Sequence, residues 1–212
     1  MSSTQFQQVH TRSERILRFA TILGFIGMLR PNALTQLAPN SFTMVTATGS
    51  TVEMPKNPRQ FEEALNRLRR REHILGFYVR FRSKTMVSAR AYFPSLSIMD
   101  TYLSISLMCP VRALVDISRR RLLKNRFLRS LNGDMKLTKY LQKLVGIRRN
   151  IAPYALRIGG RTWLLNKGMD RQFVDFLGRW KSPEASARYY RAAPREVLLR
   201  LRVFYFENGW NL

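Results

Sequence analysis

The apolar residues of this chain change their spacing four times, and those changes limit the architectures open to it. From Arg15 to Leu29 they recur as Ile16, Leu17, Phe19, Ala20, Leu23, Ile26 and Gly27, the period of a helix. Pro31 either stops that helix or opens a second one through Leu37. Residues 42–54 are β-branched and carry glycine, which predicts a strand pair turning at Gly49 and Ser50. Pro55 and Pro58 bracket a short linker. The spacing from Phe61 to Leu75 predicts an amphipathic helix whose polar face carries Arg67, Arg69, Arg70 and Arg71, either as a solvated face or as a binding one. After Gly76, residues Phe77 to Arg82 alternate with period two, as a half-buried strand does. Ser83, Lys84 and Thr85 fall at a turn, and a second extended segment runs to about Pro94. From Pro110 the helical period returns, its first stretch ending at Arg119 to Arg121. The expected fold class is mainly α with a small antiparallel β-sheet near the middle of the chain.

A chain patterned in this way has enough apolar residues, 45% of 212, to build a core. Its surface must then carry 37 basic and 13 acidic residues, a net charge of +24. Of the basic residues 29 are arginine. A guanidinium is flat, permanently charged and able to grip phosphate oxygens with two N–H groups at once, so a polyanionic partner is expected. Charge alone fits DNA, RNA or an anionic membrane surface. The single cysteine, Cys109, excludes a disulfide framework and a cysteine-rich zinc site, and its apolar context predicts a buried thiol. With His10 and His73 as its only histidines, the sequence does not support an all-histidine metal site. No apolar run reaches the roughly 18 residues of a membrane span, and the N-terminus lacks the apolar segment of a secretory signal. An intracellular location and no membrane partner are expected.

Residues 154–191 carry the densest pattern. Tyr154-Ala-Leu-Arg157 opens one helix, which Gly168 should close, and Asp170 should cap the next. Phe176-Leu-Gly-Arg-Trp180-Lys-Ser follows, and then Pro183, tolerated at the start of a helix, leads to Tyr189 and Tyr190. Arg157, Trp180 and Tyr189 are thus expected from three different elements. The interval from Arg157 to Trp180 is 23 residues and from Trp180 to Tyr189 it is 9. These residues and intervals resemble the C-terminal catalytic motif of the tyrosine recombinases, in which His-x-x-Arg is followed by a Gly-x-Trp type motif and then the nucleophilic tyrosine. The Phe176 to Ser182 stretch looks most like the branch found in eukaryotic mobile elements. Earlier in the chain, Gly27-Met-Leu-Arg30 with Ala33, Leu34 and Leu37 is similar to the segment of the family's first arginine. Ser83-Lys84-Thr85 is similar to its lysine-bearing hairpin turn.

The resemblance, which covers about residues 15–206, implies a DNA breaking-rejoining enzyme fold acting on double-stranded DNA. Tyr189 would attack a backbone phosphate, giving a 3′-phosphotyrosyl link and a free 5′-hydroxyl. Arg30 and Arg157 would hold the non-bridging oxygens, Trp180 would donate its indole N–H, and Lys84 would protonate the leaving oxygen. No cofactor or metal is implied. Two departures stand out: Tyr154 occupies the usual histidine position, and Ala33 stands where an acid often braces the first arginine. Either fits a slow enzyme or a non-catalytic DNA-binding relic. Residues 1–11 are expected to be a disordered polar tail, and residues 12–212 a catalytic domain with the N-terminal core-binding domain absent. The apolar stretch from Val197 to Phe206 fits a core helix or self-association through a C-terminal helix. Location in the nucleus would follow if the host is eukaryotic.

Overall fold

The structure, a computed structural model, describes residues 11–82, 89–96, 109–120, 122–123, 133–146, 151–180 and 193–208. Helix α1 (Arg12–Ile26) starts at a reciprocal cap. The Thr11 hydroxyl accepts from the Glu14 amide at 3.3 Å, and the Glu14 carboxylate accepts from the Thr11 amide at 2.9 Å. Ile16, Phe19, Ile22 and Leu23 on this helix are buried, so α1 runs through the core rather than over it. Helix α2 (Pro31–Leu34) is a single turn opened by its proline. It ends well short of the expected Leu37, and Pro39 starts a separate 3₁₀ turn over Pro39–Ser41.

Strands β1 (Phe42–Thr46) and β2 (Thr51–Glu53) form the expected hairpin. Gly49 at its turn has φ of +90°, a conformation that costs glycine no Cβ clash. Helix α3 (Pro58–Arg71) is capped by the Asn57 side chain. It stops earlier than its periodicity predicts because Ile74 and Leu75 are drawn into β3 (Ile74–Phe81), where Ile74 pairs with Thr46. With β4 (Ala89–Pro94) the strands form one antiparallel sheet in the order β2-β1-β3-β4.

The cross-strand register sorts the side chains into two faces. Met44, Phe77 and Phe93 lie in one row, and this face meets Phe19 of α1 and Phe61 of α3 through Phe42, at ring distances of 6.2 and 5.9 Å. The opposite face carries Gly76, Tyr78 and Tyr92. It is covered by α8 (Pro194–Glu207) and, at Tyr92, by Phe176 of α7 (Arg171–Gly178). β3 is therefore buried on both sides for most of its length, which corrects the half-buried strand expected from its alternation. Alternation persisted because tyrosine and glycine serve as well as phenylalanine once a helix covers the second face.

The remaining helices are α4 (Pro110–Arg119), α5 (Gly133–Val145) and α6 (Tyr154–Asn166). Cys109 precedes α4, fully buried, and its sulfur accepts from the Leu96 amide at 3.3 Å, as its apolar context predicted. Gly168 takes φ of +84° just after α6, and Asp170 caps α7 by accepting from the Phe173 amide at 2.8 Å. Both ends are where the sequence placed them. Among the described residues, no helix is long and apolar enough to cross a membrane.

Candidate active site

The site is built where α1 and α6 cross. Gly24 faces Leu156, and Gly160 lies directly against the backbone carbonyl of Phe25. A side chain at residue 160 would hold the two helices apart; its absence lets α6 reach the end of α1. Arg157, one turn before Gly160, is thereby carried to the segment that follows α1. There Met28 adopts φ of +47°, uncommon for a residue with a side chain. Its carbonyl turns toward α6 and accepts from Arg157 Nη1.

Arg157 is 2% exposed. Its other terminal nitrogen donates to the Gly178 carbonyl at 2.6 Å, and the guanidinium lies 4.1 Å from the centre of the Trp180 ring. Its Nε has no hydrogen-bond partner among the described residues. Burial pushes the guanidinium below its ordinary pKa, the charge of Arg30 adds to that, and the phenol of Tyr154 opposes it. Stacking on an indole face stabilises such a partly desolvated cation by about 2 kcal/mol. Trp180 folds back over Gly178, so closely that a Cβ at residue 178 would overlap the ring.

A third guanidinium joins this cluster. Arg179 sits between Gly178 and Trp180 in the left-handed region, φ of +56°. It donates to the carbonyls of Gly27 at 2.7 Å, Met28 at 2.9 Å and Arg90 at 3.2 Å, and stacks over Phe81. Burial, followed by the charges of Arg157 and Arg30, lowers its pKa to about 9, which leaves it cationic at neutral pH. Behind Trp180, Arg161 lies 5.2 Å from the ring and pairs with Asp175 at 3.0 Å.

Four of the six residues expected at the site are thus described, and they converge. Arg30 is exposed, two residues beyond the Met28 carbonyl that Arg157 and Arg179 share, and near enough for its charge to act on both. Tyr154 is 43% exposed on α6, one turn before Arg157, which its phenol faces. Trp180 covers Arg157 and is also packed against the core. Ala33 points into the core at 6% exposure, so no side chain braces Arg30 from that position. Lys84, its turn, Pro183, Tyr189 and Tyr190 lie outside the described residues. Sequence reasoning missed Arg179, although it stands inside the quoted motif. Its adjacency to Trp180 was a visible signal; the left-handed backbone that aims it back at α1 was not. The Arg161–Asp175 pair was missed as well.

No protein-family model matches the chain, and no curated protein matches it. Among solved structures, the chain is similar to a complex of a tryptophan-to-phenylalanine mutant of Flpe, a tyrosine recombinase, with a DNA Holliday junction. The alignment has a TM-score of 0.51 and 17% identity, and it covers 93% of this chain and 47% of that one. The fold is that of a tyrosine recombinase. The chain spans about half the length of that recombinase. At this identity the likeness concerns architecture, and the mainly helical fold with a small antiparallel sheet agrees with what the sequence implied.

Proposed function

We propose that this protein cleaves and rejoins strands of double-stranded DNA through a 3′-phosphotyrosyl intermediate, in site-specific recombination or integration of a mobile element. The observation that carries this reading is the convergence of three guanidinium groups, Arg30, Arg157 and Arg179, on the segment after α1, with Trp180 stacked on the middle one. Cations gathered before any substrate arrives can stabilise the charge that builds on a phosphate during in-line displacement. The phenolic oxygen of Tyr189, losing its proton to water, attacks phosphorus, the 5′ oxygen leaves, and Lys84 supplies the proton that oxygen takes. Arg30, being exposed, meets the phosphate directly. Arg157 acts with its remaining N–H groups, and Trp180 with its indole N–H. Rejoining reverses the step, with a 5′-hydroxyl attacking the phosphotyrosine, so the bond energy is kept and no nucleotide is required. The eukaryotic mobile-element origin, a nuclear location, the assignment of residues 12–212 as one catalytic domain and self-association through α8 belong to the same reading.

A second reading is favoured by one specific arrangement. The terminal nitrogens of Arg157 are engaged by the carbonyls of Met28 and Gly178, and Tyr154 replaces a stronger base. Under it the chain is a DNA-binding relic of the fold, with Arg157 serving as an internal tie. Incubation with a nicked suicide duplex separates the two. The enzyme reading expects a denaturation-resistant protein–DNA adduct that vanishes in Tyr189→Phe and persists in Tyr190→Phe. Duplex binding without any adduct assigns the chain to the relic.

A further inference from the structure

At the end of the sheet opposite the arginine cluster, the last turn of α3 and one side of α4 enclose a groove of about 660 Å³. Arg69, Arg70, Arg71, Arg112 and Arg119 line it, together with Ile74 and Ser95. These last two mark the start of β3 and the residue after β4, whereas Arg179 contacts Phe81 and Arg90 at the other end of the same strands. At about 3.3 Å per residue, β3 alone separates the two places by roughly 23 Å. The groove is therefore not part of the candidate active site.

Its arginines are not all accounted for by helix electrostatics. Arg69, Arg70 and Arg71 end α3 and Arg119 ends α4, where the helix dipole favours cations. Arg112 stands in the first turn of α4, where the dipole disfavours one and no acid is present. Arg69 lies within reach of both Arg112 and Arg119. Burial pushes its pKa below the ordinary value, and the charges of Arg119 and Arg112 push it further. Two acids, Glu72 and Asp116, also line the groove, and both are engaged by other partners. Asp116 holds Arg15 at 2.8 Å and Arg120 at 3.3 Å, and Glu72 accepts from the Thr48 hydroxyl at 3.1 Å. Among the described residues, no carboxylate forms an ion pair with Arg69, Arg112 or Arg119. One fork repelled by two others around a single concavity is a local conflict that an oxyanion would resolve.

We propose that this groove is a second phosphate-binding site, holding the sugar–phosphate backbone of duplex DNA through Arg69, Arg112 and Arg119. A duplex presents one full charge per about 1.7 Å of axis, dense enough to meet three guanidinium groups at once. Each phosphate also offers oxygens spaced for the planar fork. The site is independent of strand transfer, since a relic would use it equally.

The test compares the wild-type chain with a triple variant, Arg69→Gln with Arg112→Gln and Arg119→Gln. A second triple variant, Arg12→Gln with Lys56→Gln and Lys167→Gln, removes the same charge from exposed positions outside the groove. Binding of a duplex of about 25 base pairs is followed by anisotropy from low to high salt. Each lost phosphate contact should reduce the slope of log K against log salt by about 0.9, so the groove variant should lose about 1.8–2.7 and the control much less. All the substituted residues are exposed, so the fold is retained, and unchanged melting curves verify it. Equal slopes for the two variants overturn the proposal and leave the groove a solvated face. Loss of poly-glutamate binding in the groove variant, with the duplex slope unchanged, overturns it in favour of an acidic peptide. Adduct formation at Tyr189, scored separately, reports on strand transfer alone.

Discussion

Met28 shows how much one peptide unit can organise. Its positive φ, of a kind that costs about 1–3 kcal/mol at a residue with a side chain, turns its carbonyl toward α6 and α7, where Arg157 and Arg179 donate to it. Two guanidinium groups that would repel each other in water are held side by side by one shared acceptor. Gly178 is the second small device, since its carbonyl accepts from Arg157 while its missing side chain makes room for Trp180. Gly178→Ala should therefore lift the indole from Arg157 and cost about 1–3 kcal/mol, the usual penalty for overpacking. Chemical denaturation followed by tryptophan fluorescence checks this; an unchanged midpoint would mean that Trp180 is not confined there. Arg157 itself ties three segments together, so substituting it leaves the buried Gly178 carbonyl unpaired at about 1–3 kcal/mol, while the Met28 carbonyl keeps Arg179. Loss of function in an Arg157 variant is informative only beside its stability.

Among the elements, the crossing of α1 and α6 decides whether the cluster forms. Gly159 and Gly160 are neighbours on α6, yet their surroundings differ sharply. A Cβ at residue 160 would run into the Phe25 carbonyl, whereas one at residue 159 would meet the edge of the Phe25 ring at an ordinary 3.4 Å. Gly160→Ala should push α6 away from α1, lowering stability by about 1–3 kcal/mol. Gly159→Ala should be neutral or stabilising by up to about 1 kcal/mol, because alanine is the better helix former. Thermal melts of the two variants make the comparison, and similar losses in both would show that the close crossing is not what positions Arg157. On the other face of the sheet, Gly76 admits Leu198 of α8 by the same logic.

Over the whole molecule, long-range ion pairs tie α1 to helices far away in sequence. Glu14 receives Lys143 of α5 at 3.1 Å, and Arg15 reaches Asp116 of α4 at 2.8 Å. The Glu14 carboxylate is held below its ordinary pKa, first by the Thr11 backbone amide and then by Lys143. A group whose pKa falls on folding contributes stability above its unfolded value, near 4.5, and loses that contribution as pH drops through the folded value. The melting temperature should therefore decline more steeply below about pH 4.5 in the wild type than in Glu14→Gln. Parallel curves for the two proteins would remove Glu14 from the acid response.

Periodicity and punctuation were enough to make the hairpin at Gly49, the end of α6 at Gly168, the cap at Asp170 and the burial of Cys109 legible, because each depends on residues close in sequence. The intervals from Arg157 to Trp180 and Tyr189 were legible for the same reason. The early end of α3 and the burial of β3 on both faces were not, since strand pairing and the packing of α8 decide them over long distances. Nor was Arg179, whose direction depends on a left-handed backbone that no pattern of side chains announces. The amino-acid order by itself determined the fold class, the local caps and turns, and a strong demand for an anionic partner. Only tertiary structure decided which of 29 arginines share one carbonyl, because that depends on how closely two helices can cross.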